Sequence, residues 1–179
     1  MRAIQTDELR GWYEKSGIAV DAAGFLRYAN TAPLGIRLNI PSEGPKTAAL
    51  AASLLSVEDD FYGATMWFTN FDFGTPRIER CALRILEQMR RGYGVTASLE
   101  NAPAQLFRTD EATDAQSFLT IPMLFGWDAY FTPHGTRYFA YVRQNGSLFL
   151  VTDRDEVLTR LRALLDGYSP VLELPTHLR

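Results

Sequence analysis

The run from Tyr138 to Thr152, YFAYVRQNGSLFLVT, constrains the fold more than any other segment. Two strand-like stretches flank Asn145-Gly146, and both residues tolerate the positive φ of a two-residue type I′ turn. With that turn, Arg143 faces Leu148, Val142 faces Phe149 and Tyr141 faces Leu150. One face then carries Tyr138, Ala140, Val142, Phe149 and Val151, and the other carries Phe139, Tyr141, Leu148 and Leu150. Both faces are apolar, so the hairpin belongs to a central sheet that needs cover on each side.

The rest of the chain supplies that cover. Thr6-Asp7-Glu8 opens a short helix with carboxylates near its positive end, and Leu9, Trp12 and Tyr13 form its buried side. The pattern of Ile18 to Asn30 is ambiguous, with a second short helix holding Phe25, Leu26 and Tyr28 as one option. Leu34, Ile36, Leu38 and Ile40 alternate as in a strand that Pro41 ends, and a small-residue helix spans Thr47 to Leu55. Another strand covers Ala64 to Phe71. Thr75-Pro76 starts a long helix with an apolar stripe of Ile78, Ala82, Ile85, Leu86 and Met89. Cys81 falls beside that stripe and is expected to be a buried, inert thiol.

A short strand is expected at Gln105–Phe107, then a helix from Asp110 that Pro122 kinks or ends at Ile121. Trp127 to Thr132 adds a third strand to the hairpin. A last helix follows, with Asp153 as its cap, Glu156 reaching back, and a stripe of Val157, Leu158, Leu161, Leu164 and Leu165. These elements predict one α+β domain over residues 1–179, with an extended tail from about residue 169. Its mixed sheet is flanked by helices and ends in a C-terminal β-β-β-α unit.

Composition excludes several classes. The 179 residues are 46% hydrophobic and 22% charged, with a formal net charge of −3. That charge gives no reason to expect a nucleic acid or an anionic membrane as partner. One cysteine allows no intrachain disulfide and no multi-cysteine metal site. The polar N-terminus is unlike a secretory signal, and the longest low-polarity run, Ala48 to Leu55, is too short to span a bilayer. A cytoplasmic location is the expectation.

No set of residues spells a chemistry. Asp72-Phe73-Gly74 matches the kinase magnesium motif, but the strand lysine, the glycine-rich loop and the HRD element are missing. His134 lies in the turn Pro133-His134-Gly135 and His177 near the chain end, neither with acids or cysteines at metal-ligand spacing. The acidic groups Asp110-Glu111-Asp114 and Asp153-Asp155-Glu156 sit at helix starts, where dipole and capping effects account for them. Arg77, Arg80, Arg84, Arg90 and Arg91 against Glu79 and Glu87 make one helix net positive within an acidic chain.

Four segments follow in order: Met66-Trp67-Phe68-Thr69, Arg90-Arg91-Gly92-Tyr93-Gly94, Ala102-Pro103-Ala104-Gln105-Leu106-Phe107 and Gly126-Trp127-Asp128-Ala129-Tyr130. The set resembles a group of small bacterial proteins, a domain of unknown function, that share a W…RRxYG…APxxLF…WDA pattern. The resemblance spans the middle of the chain and implies a self-contained bacterial domain; it carries over no catalytic residue. Asp128, at a strand start, is expected to bond nearby backbone N–H groups.

The leading expectation is a non-enzymatic protein–protein interaction module of accessory or toxin-neutralising type, without cofactor or metal and with a homodimer open to it. Its surface would lie around Trp67, Asp72, Arg77, Arg84, Arg91, Trp127 and Tyr130. The alternative is a small enzyme or ligand-binding domain with a pocket between the sheet and the arginine helix. There Arg84 or Arg91 would hold an anionic ligand, and Asp72, Asp128 or His134 would titrate.

Overall fold

A sheet that is apolar on both faces must be covered twice, and this chain does so with two unlike layers. The computed structural model describes residues 1–29, 32–57, 60–69, 78–175 and 177. In chain order the elements are β1 (Arg2–Ile4), α1 (Thr6–Lys15), β2 (Ile18–Val20), β3 (Leu26–Tyr28), β4 (Leu34–Asn39), α2 (Gly44–Leu55), β5 (Ala64–Phe68), α3 (Ile78–Gly92), β6 (Ala104–Phe107), α4 (Ala112–Phe125), β7 (Ala129–Pro133), β8 (Tyr138–Val142), β9 (Ser147–Thr152), α5 (Asp155–Leu164) and β10 (Val171–Leu172). Eight strands form one sheet in the order β1-β6-β5-β7-β8-β9-β4-β10, and β2 and β3 form a separate hairpin.

The α+β class is as expected, with a β7-β8-β9-α5 unit near the C-terminus. The sheet is antiparallel rather than mixed: every ladder among the described residues runs that way. Hairpin links make β7-β8-β9 antiparallel by construction, and β4 and β5 continue the alternation on either side. The meander is therefore interior. The exposed edges are β1 and β10, so a meander edge offers no site for pairing with a second copy. Residues 171–172 are not a loose tail, since Val171 and Leu172 pair with Arg37 and Ile36 of β4.

The central hairpin is shifted by one residue from the expected register. Val142 pairs with Leu148, Tyr141 with Phe149 and Ala140 with Leu150. The Arg143 N–H donates to Ser147 O at 2.9 Å and the Gly146 N–H to Arg143 O at 3.0 Å, closing a loop of Gln144, Asn145 and Gly146. Only Gly146 has positive φ (75°), so a primed two-residue turn is excluded and a bulged three-residue loop takes its place. Asn145 keeps a role, its Oδ1 accepting the Ser147 N–H at 3.1 Å. The shift exchanges the faces of β9. Leu148 and Leu150 join Tyr138, Ala140 and Val142, while Phe149 and Val151 join Phe139 and Tyr141.

The first face is packed by α2, α3, α4 and α5, through Leu50, Leu54, Leu86, Phe118, Leu119 and Leu161 among others. The Tyr138 hydroxyl donates to Leu54 O at the end of α2, which satisfies a phenol inside this layer. Among the described residues the second face is covered by α1, through Leu9 and Tyr13, by the β2-β3 hairpin, through Ile18, Leu26 and Tyr28, and by Leu174. That hairpin resolves the ambiguity around Phe25 against a helix: Asp21 Oδ1 accepts the N–H groups of Ala23 and Phe25 at 2.9 Å each, and Gly24 turns the chain at φ 85°.

Other local expectations shift for physical reasons. Helix α4 runs through Pro122, because Phe118, Leu119, Ile121 and Met123 are buried around it, and it ends instead at left-handed Gly126. Asp153 does not cap α5; its carboxylate takes the Arg137 guanidinium, and Thr152 Oγ1 accepts the Arg154 N–H at 3.1 Å. On α3, Ala82 and Leu86 are buried while Ile85 is 50% exposed and Cys81 is exposed, so the thiol is not a core group. The helix start at Thr75-Pro76 lies outside the described residues.

Gly146 has open space around its Cβ position, so Gly146→Ala tests backbone conformation alone. We expect a loss of about 1–2 kcal/mol, the cost of a left-handed L-residue, measured as a lower urea midpoint at unchanged m-value.

Candidate ligand-binding cleft

The observed register lines up one row of side chains on the face beneath α1. Trp67 of β5 pairs with Tyr130 of β7, Tyr130 with Tyr141 of β8, and Tyr141 with Phe149 of β9. The Trp67 and Tyr130 rings lie 5.7 Å apart and the Tyr130 and Tyr141 rings 4.5 Å apart, the latter nearly parallel at 13°. These are cross-strand neighbours, so the sheet itself sets the stacking. Because α1 and the β2-β3 hairpin cover this face only in part, a cavity of about 590 Å³ remains beside Tyr130 and Tyr141. That volume suits a small organic ligand.

The cavity wall combines rings and charges. Phe25, from the β2-β3 turn, meets Tyr141 edge-on at 6.5 Å. His177 stacks on Phe25 at 3.9 Å and meets Tyr141 edge-on at 5.7 Å. Asp128, Thr69 and Arg143 complete the polar side. Asp128 Oδ1 accepts the Gln144 N–H at 2.8 Å, which ties the start of β7 to the β8-β9 loop as its position at a strand start suggested. The Thr69 N–H and hydroxyl both donate to Asp128 O, at 3.0 and 3.3 Å. Arg143 lies 5.9 Å from the Tyr141 ring, and its Nε has no acceptor among the described residues.

Burial governs the protonation of this wall. Desolvation pushes the Tyr130 phenol up, with the neighbouring Tyr141 adding to it. The Leu26 backbone lies close to the Tyr130 hydroxyl, yet no hydrogen bond of ordinary geometry forms. Tyr141 is also pushed up, first by burial and then by the Asp128 charge, with Arg143 opposing. Burial lowers His177, partly opposed by Asp21. At neutral pH the cleft therefore presents neutral phenols and a neutral imidazole.

The described residues of the expected surface lie in different places. Trp67, Trp127 and Tyr130 are 7%, 5% and 1% exposed, because β5 and β7 are interior strands with cover on both faces. Trp127 lies on the opposite face from the other two, against Phe68 and Phe125. Arg84 and Arg91 are exposed on α3, away from the aromatic row. Asp72 and Arg77 lie outside the described residues. Of the described members of that set only Tyr130 lines the cleft. Tyr141 and Arg143 sit two residues apart on one strand face, a signal already present in the hairpin. Phe25 and His177 arrive from distant segments and leave no local signal.

His134 occupies a separate cavity of about 360 Å³ with Trp12, Tyr28 and Arg137. It is half-buried rather than solvated in its turn: its ring lies 4.7 Å from Trp12, its Nε2 is 3.1 Å from Thr65 Oγ1, and its N–H donates to Gly63 O at 2.8 Å. Among the described residues no group of three or more His, Cys, Asp or Glu could hold a metal ion, and no helix is long and apolar enough to cross a membrane. No protein-family model matches the chain, and no curated protein is significantly similar to it.

Burial lowers His134 below its usual 6.5, so the unfolded chain binds the proton first and stability is lost as pH falls below that value. Urea unfolding at pH 8 to 5 should show this decline, and His134→Gln should reduce it, leaving the part that His177 contributes. An undiminished slope in the variant would remove His134 as its source. The carboxylate contributions of Asp153 and Glu111, both held below their usual range against the effect of burial, act in a more acidic window.

Proposed function

We propose that the protein is a small-molecule-binding domain whose ligand is flat, largely apolar and carries one anionic group. The observation that carries this reading is the meeting of Tyr130, Tyr141, Phe25 and His177 around one cleft beside Arg143, whose Nε lacks an acceptor among the described residues. Stacked rings bind flat groups through area and quadrupole, and a guanidinium in a partly desolvated wall selects a carboxylate or sulfonate. Binding is favoured over covalent catalysis, since the phenols are pushed up and the Thr69 hydroxyl is committed to Asp128 O.

An interaction module, the other reading, draws support from α3, where half-exposed Ile85 lies between exposed Arg84 and Arg91 along the helix. A stoichiometric protein complex in native mass spectrometry, lost in Ile85→Asp, would favour it.

Titration calorimetry with indole-3-carboxylate and with indole tests the cleft. The acid should bind about tenfold tighter, equivalent to about 1.4 kcal/mol. Arg143→Gln should erase that difference, and Tyr141→Ala should weaken both ligands. Equal affinities in the native protein, or no saturable binding of either compound, would sink the proposal.

A further inference from the structure

A second site lies on the other side of the sheet, where α3 ends. Arg90 is only 2% exposed, yet it forms no ion pair among the described residues. One guanidinium nitrogen, Nη2, donates to Ala102 O at 2.8 Å, and Nε has no partner. A buried cation left with a single neutral acceptor carries an uncompensated desolvation cost, which a small anion can relieve. Burial accordingly lowers Arg90, with Glu87 opposing.

A pocket of about 110 Å³ adjoins this group, lined by Arg90, Arg91, Glu87 and the loop from Val95 to Ser98, including Thr96 and Ser98. At ~30 Å³ per water this is room for a few waters or one compact ion, not for an organic ligand. The nearby helix end would ordinarily repel an anion. Here two of its carbonyls are engaged: Arg90 O accepts the Tyr93 and Val95 N–H groups at 3.1 and 3.0 Å, and Arg91 O accepts the Gly94 N–H at 2.9 Å. Two guanidinium groups against one carboxylate leave the lining net positive.

We propose that this pocket binds a compact oxoanion, a phosphate or sulfate group, between Arg90 and Arg91, with the loop hydroxyls of Thr96 and Ser98 beside it. Guanidinium forks match the paired oxygens of such ions, which chloride does not offer. Glu87 is the competing negative charge and limits the affinity. The site is independent of the aromatic cleft and of the ligand proposed there.

Thermal unfolding is followed against inorganic phosphate at ionic strength held constant with sodium chloride. The native protein should show a saturable rise in Tm, as expected when a ligand binds only the folded state. Arg91→Gln, at an exposed position, should weaken the apparent affinity about tenfold on loss of one charge-assisted contact. Glu87→Gln should strengthen it several-fold. Arg143→Gln should leave it unchanged, which separates this site from the cleft. Methyl phosphate distinguishes the sources: a matching affinity identifies a phosphate group on a larger molecule, and a loss of binding identifies the free ion. A Tm rise no greater than chloride produces, or one indifferent to both Arg91→Gln and Glu87→Gln, would overturn the proposal and leave Arg90 as a peg holding the Ala102 carbonyl.

Discussion

The pairing of Tyr141 with Phe149 is the constraint on which the rest depends. Side chains on a strand alternate between faces, so a slip of one residue would move every β9 side chain to the opposite layer. Phe149 and Val151 would then press into the aliphatic layer of α2, α4 and α5, and Leu148 and Leu150 would sit under α1. The aromatic row would end at Tyr141. A single glycine in the left-handed region, Gly146, allows the three-residue loop that prevents this.

The two faces differ in cover, and this difference decides where ligands can enter. Four helices pack the first face and leave mostly aliphatic and aromatic contacts. One helix, a short hairpin and Leu174 cover the second, which is tiled with Trp67, Tyr130, Phe139, Tyr141 and Phe149. Rings fill such a face with fewer side chains, but their polar tips need partners that a thin cover cannot supply. The unpartnered hydroxyls of Tyr28 and Tyr130 both lie on this side, and each borders a cavity.

Elements whose burial follows their own periodicity were legible in the sequence. Helix α1 buries Leu9 and Tyr13, β4 buries Ile36 and Leu38, and α5 buries Val157 and Leu161, much as their spacing indicates. Legibility failed where distant partners set the outcome. The β2-β3 hairpin is held by Asp21 and by packing on the aromatic row; Asp153 is drawn from a cap position to Arg137; Pro122 is tolerated because its helix is buried. Of the cleft, Tyr130 and Asp128 were visible as candidates and His177 was weighed as a lone histidine, but its meeting with Phe25 and Tyr141 was not, since these contacts form only through the folded chain.

By itself the sequence determined that a two-faced apolar sheet lies at the centre and that helices must cover it, because hydrophobic periodicity and burial are local statements about composition along the chain. It also determined that Asp128 would serve the backbone, since a short carboxylate at a strand start has N–H groups within reach. Only the tertiary structure decided the turn length, and with it which rings share a face. It likewise decided that Trp67 and Trp127 are packing groups on opposite layers, and that Arg90 is a buried cation of α3 while Arg84 is exposed. Those outcomes depend on which strands become neighbours and how much cover each face receives, and both are set by contacts between residues far apart in the chain.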